Sequence, residues 1–237
     1  VQAGVDKDLK STSGLTGGDA YKMQQYAQGG GLCGNFFTQA LTRAIAVSEY
    51  NAAMGKIVAA PTAGSCGILP GTILSLMEDR DMPEETAVMA LFTAGAFGMV
   101  IADRASIAGA QGGCQAECGS AAAMAAAAMV EMSGGTPEMC AHACAIAIKN
   151  QLGLVCDPIA GLVEVPCIKR NAGGVACAFA AAEMALAGIK SVIPVDEVID
   201  AMREVGDSMP CALKETAQGG LAVTPTGIRL KEEIFGA

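Results

Sequence analysis

The ten cysteines of this 237-residue chain are the residues with the widest range of possible chemistry. Cys140 and Cys144 lie one helical turn apart in an Ala-rich stretch, a spacing typical of a packed helix face where free Cys acts as a small apolar side chain. Cys114, Cys156 and Cys167 differ, because each has Gly or Pro nearby and is predicted to lie in a loop. Their separations of 42 and 11 residues match neither a zinc finger nor a ferredoxin motif, so the spacing alone leaves their role open.

The elements that must position these cysteines are predicted to be helices. Pro83 followed by Glu84 and Glu85 is a typical helix start, and Thr136 before Pro137 is a typical N-cap. Sustained alternation of β-branched and polar residues is missing from the sequence, so few strands are expected. We therefore predict one all-α domain over residues 1–237, with Ala-rich helices and Gly-rich loops that carry the site. Helices are predicted over residues 21–26, 35–53, 70–78, 83–103, 121–132, 137–151, 171–186 and, as the last of them, 194–205.

Composition excludes several classes of protein. With 52% hydrophobic and 16% charged residues the chain is not disordered, and a net charge of −9 with 4% aromatic residues argues against nucleic-acid binding. The uncharged segments 57–77 and 86–102 are interpreted as buried helices and not as membrane spans, because Pro61 and Pro70 interrupt the first and the second is short. The N-terminus does not resemble a signal peptide, so we expect a cytoplasmic protein with reduced thiols.

Six longer motifs follow one another along the chain. They are SGLTGGD at residues 13–19, APTAGSCG at 60–67, GCQAECGS at 113–120, GLVCDP at 153–158, VPCIKRN at 165–171 and KETA at 214–217. Together they resemble the catalytic domain of the bacterial iron–sulfur-dependent L-serine dehydratases, also called L-serine deaminases. The resemblance extends over nearly the whole chain and is to the α subunit of the two-subunit form.

The resemblance implies that Cys114, Cys156 and Cys167 hold a [4Fe–4S] cluster that leaves one iron open. Such an iron would act as a Lewis acid on the substrate hydroxyl while a base removes the α-proton, so that L-serine gives pyruvate and ammonia. Cys118 is left out of the ligand set, since many relatives have another residue there. Cys66 belongs to a motif without being a ligand, and a transient fourth ligand is its alternative role.

The identity of the base stays open in this interpretation. His142, the only histidine, and Lys214 are the candidate catalytic residues on this chain. The other possibility is a base on the β subunit, a partner that the resemblance implies. Hydroxyls, backbone N–H groups and cations in three of the motifs are expected to bind the substrate; these residues are Ser13, Thr16, Gly17, Asp19, Thr62, Ser65, Arg170 and Asn171.

Other functions remain possible from the sequence alone. The same ligands would serve a related lyase that acts on L-threonine or L-cysteine. A pyridoxal-phosphate dehydratase would catalyse the same net reaction, but it needs a Schiff-base lysine and a phosphate loop, for which Gly29-Gly30-Gly31 is a poor candidate. The non-enzymatic alternatives are an iron–sulfur redox-sensing subunit and a Cys-rich helical scaffold.

Overall fold

Helices account for the regular structure of the chain in a computed structural model that describes residues 1–236. These residues form no strand, and their one isolated β-bridge joins Cys156 to Lys214. The prediction of an all-α fold is therefore confirmed. The helices are α1 (Asp19–Ala27), α2 (Asn35–Ala52), α3 (Ile68–Asp79), α4 (Glu84–Arg104), α5 (Gly109–Gly112), α6 (Ser120–Met132), α7 (Pro137–Gln151), α8 (Cys167–Leu186), α9 (Val195–Ser208) and α10 (Pro225–Phe235).

Helix α6 lies at the centre of the domain, and all of its residues except Glu131 are buried. Its sequence is almost entirely Ala and Met, so neighbouring helices can approach its axis closely. Helices α3, α4, α7 and α8 pack around it. A π-helical turn, Gln115–Gly119, leads directly into α6 and joins this central helix to the segment that contains Cys114.

Helix starts follow the predicted capping signals in part. Thr136 caps α7, with its hydroxyl oxygen 3.3 Å from the donating N–H of Met139. The prediction that residues 194–205 form the last helix is wrong, because Thr224 and Pro225 start α10 by the same kind of capping. The prediction of a loop around Cys167 is also wrong. Pro166 is compatible with a helix start, so α8 begins at Cys167 itself.

Helix α4 is less buried than predicted. Ala90 and Ile101 are fully buried on its inner face, whereas Phe92 and Met99 on the outer face are 70% and 72% exposed. The prediction of a buried helix over 86–102 is thus correct for one face only. Within residues 1–236, α4 alone has the length and apolarity to cross a membrane, and 22% of its most apolar window is buried.

Candidate active site

Cys114, Cys156 and Cys167 come from three separate segments and lie together in the interior. Cys114 directly precedes the π-helical turn, Cys156 lies in the loop after α7, and Cys167 is the first residue of α8. Each is less than 5% exposed. Burial raises the pKa of the Cys156 and Cys167 thiols, and negative charge at Cys114 raises both further, so the three sulfurs are within electrostatic reach of one another. The three predicted ligands are therefore buried in the same region of the structure.

Backbone hydrogen bonds fix the loop of Cys156. Its N–H donates to Leu213 O at 2.8 Å, and its carbonyl accepts from the N–H of Glu215 at 2.7 Å. These two bonds, which flank Lys214, make the isolated bridge of the fold. Gln115 ties the Cys114 segment to the same loop, because its side-chain carbonyl accepts from the N–H of Gly153 at 2.9 Å.

Arg170 lies one helical turn after Cys167, and its guanidinium group is hydrogen-bonded to other residues of this chain. Its guanidinium donates to Val155 O at 2.7 Å and to Asp157 Oδ1 at 2.8 Å. A hydrogen bond with the Cys118 thiol and the positive charge of Arg170 both lower the pKa of the Cys114 thiol. Arg170 therefore holds the loop on both sides of Cys156 and favours a thiolate at Cys114.

Asn171 has a similar positioning role. Its side-chain carbonyl accepts from the N–H of Gly67 at 2.9 Å, and its amide donates to Gly64 O at 2.7 Å and to Cys167 O at 2.9 Å. The side chain is fully buried, so these bonds hold the APTAGSCG loop against the start of α8. In that loop the hydroxyls of Thr62 and Ser65 lie 3.0 Å apart.

The first motif is also close to the cysteines, but its hydroxyls already have a partner. Ser13 donates to both carboxylate oxygens of Glu164, at 2.9 and 3.0 Å, and Thr16 donates to Oε2 at 2.8 Å. Glu164 is buried and precedes Cys167 by three residues. Through these hydrogen bonds Ser13 and Thr16 connect the SGLTGGD loop to the segment that precedes Cys167.

Gly17 and Asp19 of the same motif make close contacts within this chain. A Cβ at Gly17 would stand 2.1 Å from Leu9 O, so only glycine permits this close backbone approach. Asp19 accepts from Lys169 at 2.6 Å and from Lys22 at 2.9 Å, and these hydrogen bonds lower the pKa of its carboxyl. Asp19 thus pairs with two lysines of this chain.

Two carboxylates outside the predicted site residues lie beside Cys156. The position that a Cβ would take at Gly109 is 3.1 Å from Cys156 Sγ, 3.2 Å from Glu215 Oε2 and 3.4 Å from Glu117 Oε2. Glu117 also accepts from the hydroxyl of Thr62, at 2.5 Å. A sequence signal for Glu117 existed, since it is the only charged residue between Arg104 and Glu131. A single charged residue in such an apolar segment is a buried charge, and buried charges are typical of functional positions.

Glu117→Gln should raise the melting temperature of the metal-free chain near neutral pH. Burial raises the pKa of the Glu117 carboxyl, with a further increase from Glu215. The folded chain therefore holds this proton more tightly than the unfolded chain, and stability falls as pH rises above the ordinary value of 4.5. Glutamine cannot ionise, so the free-energy cost of a buried charge at this position is absent, and its amide oxygen can still accept the hydrogen bond from Thr62.

Thermal unfolding at near-neutral pH and below pH 4.5 measures this effect, with exposed Glu183→Gln as the control. The gain should be present at the higher pH and vanish at the lower one. An equal change at both pH values would contradict the account.

His142 and Lys214, the predicted catalytic residues, are placed differently. His142 Nδ1 accepts from the N–H of Ser191 at 3.3 Å, and its Nε2 is 3.5 Å from Glu138. It precedes Gln151, the last residue of α7, by nine residues, which is about 13.5 Å at 1.5 Å per residue, and Cys156 lies in the loop beyond that end. The structure therefore does not bring His142 to Cys114, Cys156 or Cys167. The backbone of Lys214 pairs with Cys156, and Lys214 is also one of the residues that line a cavity of about 360 Å³.

The three thiols are soft ligands of the kind that iron–sulfur clusters and other soft metals bind. In residues 1–236, no three His, Cys, Asp or Glu side chains are grouped closely enough for one metal ion. One ion requires all its sulfur ligands within about 2.3 Å of a single point, whereas a cluster takes each thiolate on a different iron. Cys114, Cys156 and Cys167 are three buried thiols from three segments of the chain.

Comparison with known proteins gives consistent matches. The family described as serine dehydratase alpha chain matches residues 1–222. A probable L-serine dehydratase alpha chain of Bacillus subtilis is 59% identical over 240 residues, which cover 100% of this chain and 80% of the relative. The L-serine dehydratase alpha chain of Peptoniphilus asaccharolyticus is 52% identical, covering 92% and 75%. An L-serine dehydratase of Escherichia coli is 44% identical, covering 76% of this chain and 40% of the relative.

Proposed function

Because the chain belongs to the serine dehydratase alpha chain family, we propose that it is the α subunit of an L-serine dehydratase that forms pyruvate and ammonia. The observation that carries this proposal is the convergence of Cys114, Cys156 and Cys167 in one buried place. These are the residues of this sequence that match the family's cluster ligands. When bound, a [4Fe–4S] cluster with one open iron would supply a Lewis acid for the leaving hydroxyl.

The other residues of the site have positioning roles in this proposal. Arg170 and Asn171 hold the Cys156 loop and the APTAGSCG loop against α8. Ser13 and Thr16 donate hydrogen bonds to Glu164, and these bonds fix the backbone segment that leads into Cys167. Buried and fully bonded neighbours keep the three thiols in one arrangement before any ligand arrives, which is the preorganisation that a catalytic site requires.

Removal of the α-proton is assigned to the β subunit. His142 lies away from Cys114, Cys156 and Cys167, and the contribution of Lys214 to this region is its backbone pairing with Cys156, so neither candidate on this chain is favoured. Relatives named alpha chains belong by name to multi-subunit enzymes, and this chain covers only 40% of the longer Escherichia coli relative. We propose a cytoplasmic complex of this chain with a β subunit that supplies the base.

The test is to purify this chain without oxygen, alone and with its β subunit, and to measure iron, sulfide, the visible spectrum and pyruvate formation. We expect about four irons and four sulfides per chain, as a [4Fe–4S] cluster requires, and a spectrum that changes when L-serine is added. L-Threonine and L-cysteine, tested in parallel, should be poorer substrates.

Two results would overturn the proposal. A complex without iron would remove the cluster from the mechanism. A cluster whose spectrum ignores L-serine, in a complex that forms no pyruvate, would favour the redox-sensing alternative.

A further inference from the structure

We propose that the outer face of α4 is a self-association surface, on which a second copy of this chain packs its own α4 in the antiparallel direction. This outer face is defined by Val88, Phe92, Gly95, Met99 and Ala102, while α4 buries its opposite face in the domain. Pairing of two copies here is a quaternary contact of the chain and does not depend on the chemistry of the buried thiols.

The residues of the outer face have the spacing of a helix–helix seam. They follow one another at intervals of four, three, four and three residues. An average interval of 3.5 residues keeps side chains in one line along a helix, which is the pattern by which two helices pack lengthwise. Val88, Phe92, Met99 and Ala102 are exposed, so within residues 1–236 this seam has no partner.

The exposed apolar area of α4 is close to what a stable dimer requires. Six large side chains on this helix are between 42% and 72% exposed; they are Val88, Met89, Leu91, Phe92, Met99 and Val100. At roughly 80–100 Å² for each half-exposed side chain, they present on the order of 500 Å², which is near the upper end for the largest apolar patch of a monomer. A standard interface removes about 800 Å² from each partner, slightly more than half of it apolar. Helix α4 alone therefore supplies the apolar part of such an interface.

Charge favours a second copy as the occupant. The chain as a whole has a net charge of −9, whereas α4 has no charged residue between Glu85 and Asp103. Two copies of an acidic chain repel each other, so they approach most readily where neither presents a charge. A basic partner would instead be attracted to the acidic surfaces. The uncharged outer face therefore suits another uncharged face, and the same face of a second copy is one.

An antiparallel pairing makes the outer face complementary to itself. With the Gly95 residues of both copies at a two-fold axis, Phe92 comes beside Met99 of the second copy, and Val88 comes beside Ala102. A Cβ at Gly95 would have no atom of this chain within 4 Å, so the packing of the single chain does not require glycine there. Two helix backbones can approach closely across such a position.

A cavity at the edge of this face has room for a side chain of the second copy. It has a volume of about 450 Å³ and is lined by Leu91 together with mainly apolar residues of α2, α3 and the segment between them, among them Val47, Ile57, Ile73 and Leu74. Met99 of the second copy lies opposite Leu91 in the antiparallel pair. Methionine is flexible enough to fill an irregular apolar space, so this side chain would become buried on association.

The test measures self-association of the full chain, prepared without oxygen, by sedimentation equilibrium. Phe92→Lys places a charge in the seam, and Gly95→Leu fills its centre. Val192→Lys is the matched control, because it makes the same charge change at an apolar residue that is 94% exposed between α8 and α9. Phe92 is exposed and Gly95 has open space beside it, so both site variants should fold, which circular dichroism checks.

We expect the wild type and Val192→Lys to form dimers with dissociation constants within about threefold of each other. Phe92→Lys and Gly95→Leu should raise the dissociation constant by roughly a hundredfold, as is typical of a residue at the centre of an interface. Gly95→Leu should at the same time raise the melting temperature of the monomer, because leucine favours a helix more than glycine does. A variant that merely damaged the fold would lower it.

Disulfide cross-linking tests the direction of the pairing in a chain whose two exposed cysteines are removed by Cys33→Ser and Cys211→Ser. Gly95→Cys should give a cross-linked dimer. Ala102→Cys should not, because the two copies of that residue would lie about 20 Å apart along the antiparallel helices at 1.5 Å per residue.

Three results would overturn the proposal. The first is a dimer that neither Phe92→Lys nor Gly95→Leu weakens, and the second is cross-linking through position 102 and not through position 95. The third is a wild-type chain that stays monomeric, while Phe92→Lys abolishes its binding to the β subunit or to phospholipid vesicles. That result would assign the outer face of α4 to the β subunit or to a membrane.

Discussion

Cys156→Ser should abolish both iron binding and L-serine deamination in the anaerobic complex. The thiol is 2% exposed and lies within electrostatic reach of Cys114 and Cys167. Serine keeps the size and the backbone bonds to Leu213 and Glu215, but a hydroxyl is a hard ligand that does not replace a thiolate on iron. Activity should fall by more than about a hundredfold, since loss of even an outer-sphere partner costs 10–100-fold.

The matched control is Cys144→Ala, which changes a fully buried cysteine in the core face of α7. It should keep its iron, its sulfide and its pyruvate formation. Cys118→Ala adds a stricter comparison, because this thiol contacts Cys114 without belonging to the proposed ligand set. Full iron content and turnover in Cys156→Ser would contradict the cluster assignment, and loss of iron in Cys118→Ala would enlarge the ligand set to four.

Local signals in the sequence predicted most of the helices correctly. Thr136 with Pro137, and Pro83 with two glutamates, lie where α7 and α4 begin, because capping and charge at a helix start depend on adjacent residues only. The same reasoning should have identified α10, where Thr224 and Pro225 repeat the pattern of α7. Pro166 beside Cys167 predicts an irregular segment from the sequence alone, although it lies at the N-cap of α8.

Assembly of the site could be predicted only where a recognised motif pointed to it. Only the motifs around Cys114, Cys156 and Cys167 single them out, since separations of 42 and 11 residues say nothing about contact in space. Gly109 is closely packed against Cys156, Glu117 and Glu215, which the chain brings together from three distant segments. Periodicity reports on the face of one helix and does not report which loops meet. The hydroxyls of Ser13 and Thr16 show the same limit, because their partner Glu164 is far away in sequence.

Arg170→Met should lower the free energy of unfolding by about 3–5 kcal/mol, the usual cost of removing one partner from a buried ion pair, and should also reduce iron binding. Asp157 is 3% exposed and accepts from Arg170 and from the N–H of Leu221, at 2.8 Å each. Without the guanidinium its charge is buried with only the Leu221 N–H as a donor. The carbonyl of Val155 also loses its donor, so the loop of Cys156 is released on both sides.

Arg104→Met is the matched control, because Arg104 pairs with Asp200 where both side chains are more than one-third exposed. Such pairs contribute about 0–1 kcal/mol, so this variant should be nearly as stable as the wild type. Denaturant unfolding of the metal-free chains separates the two cases, and iron content measures the effect on the site. Adding Asp157→Asn to Arg170→Met should restore part of the lost stability, because the unpaired charge is then absent. Equal stability of the two arginine variants would show that Arg170 does not hold the Cys156 loop, and the positioning role assigned to it would be wrong.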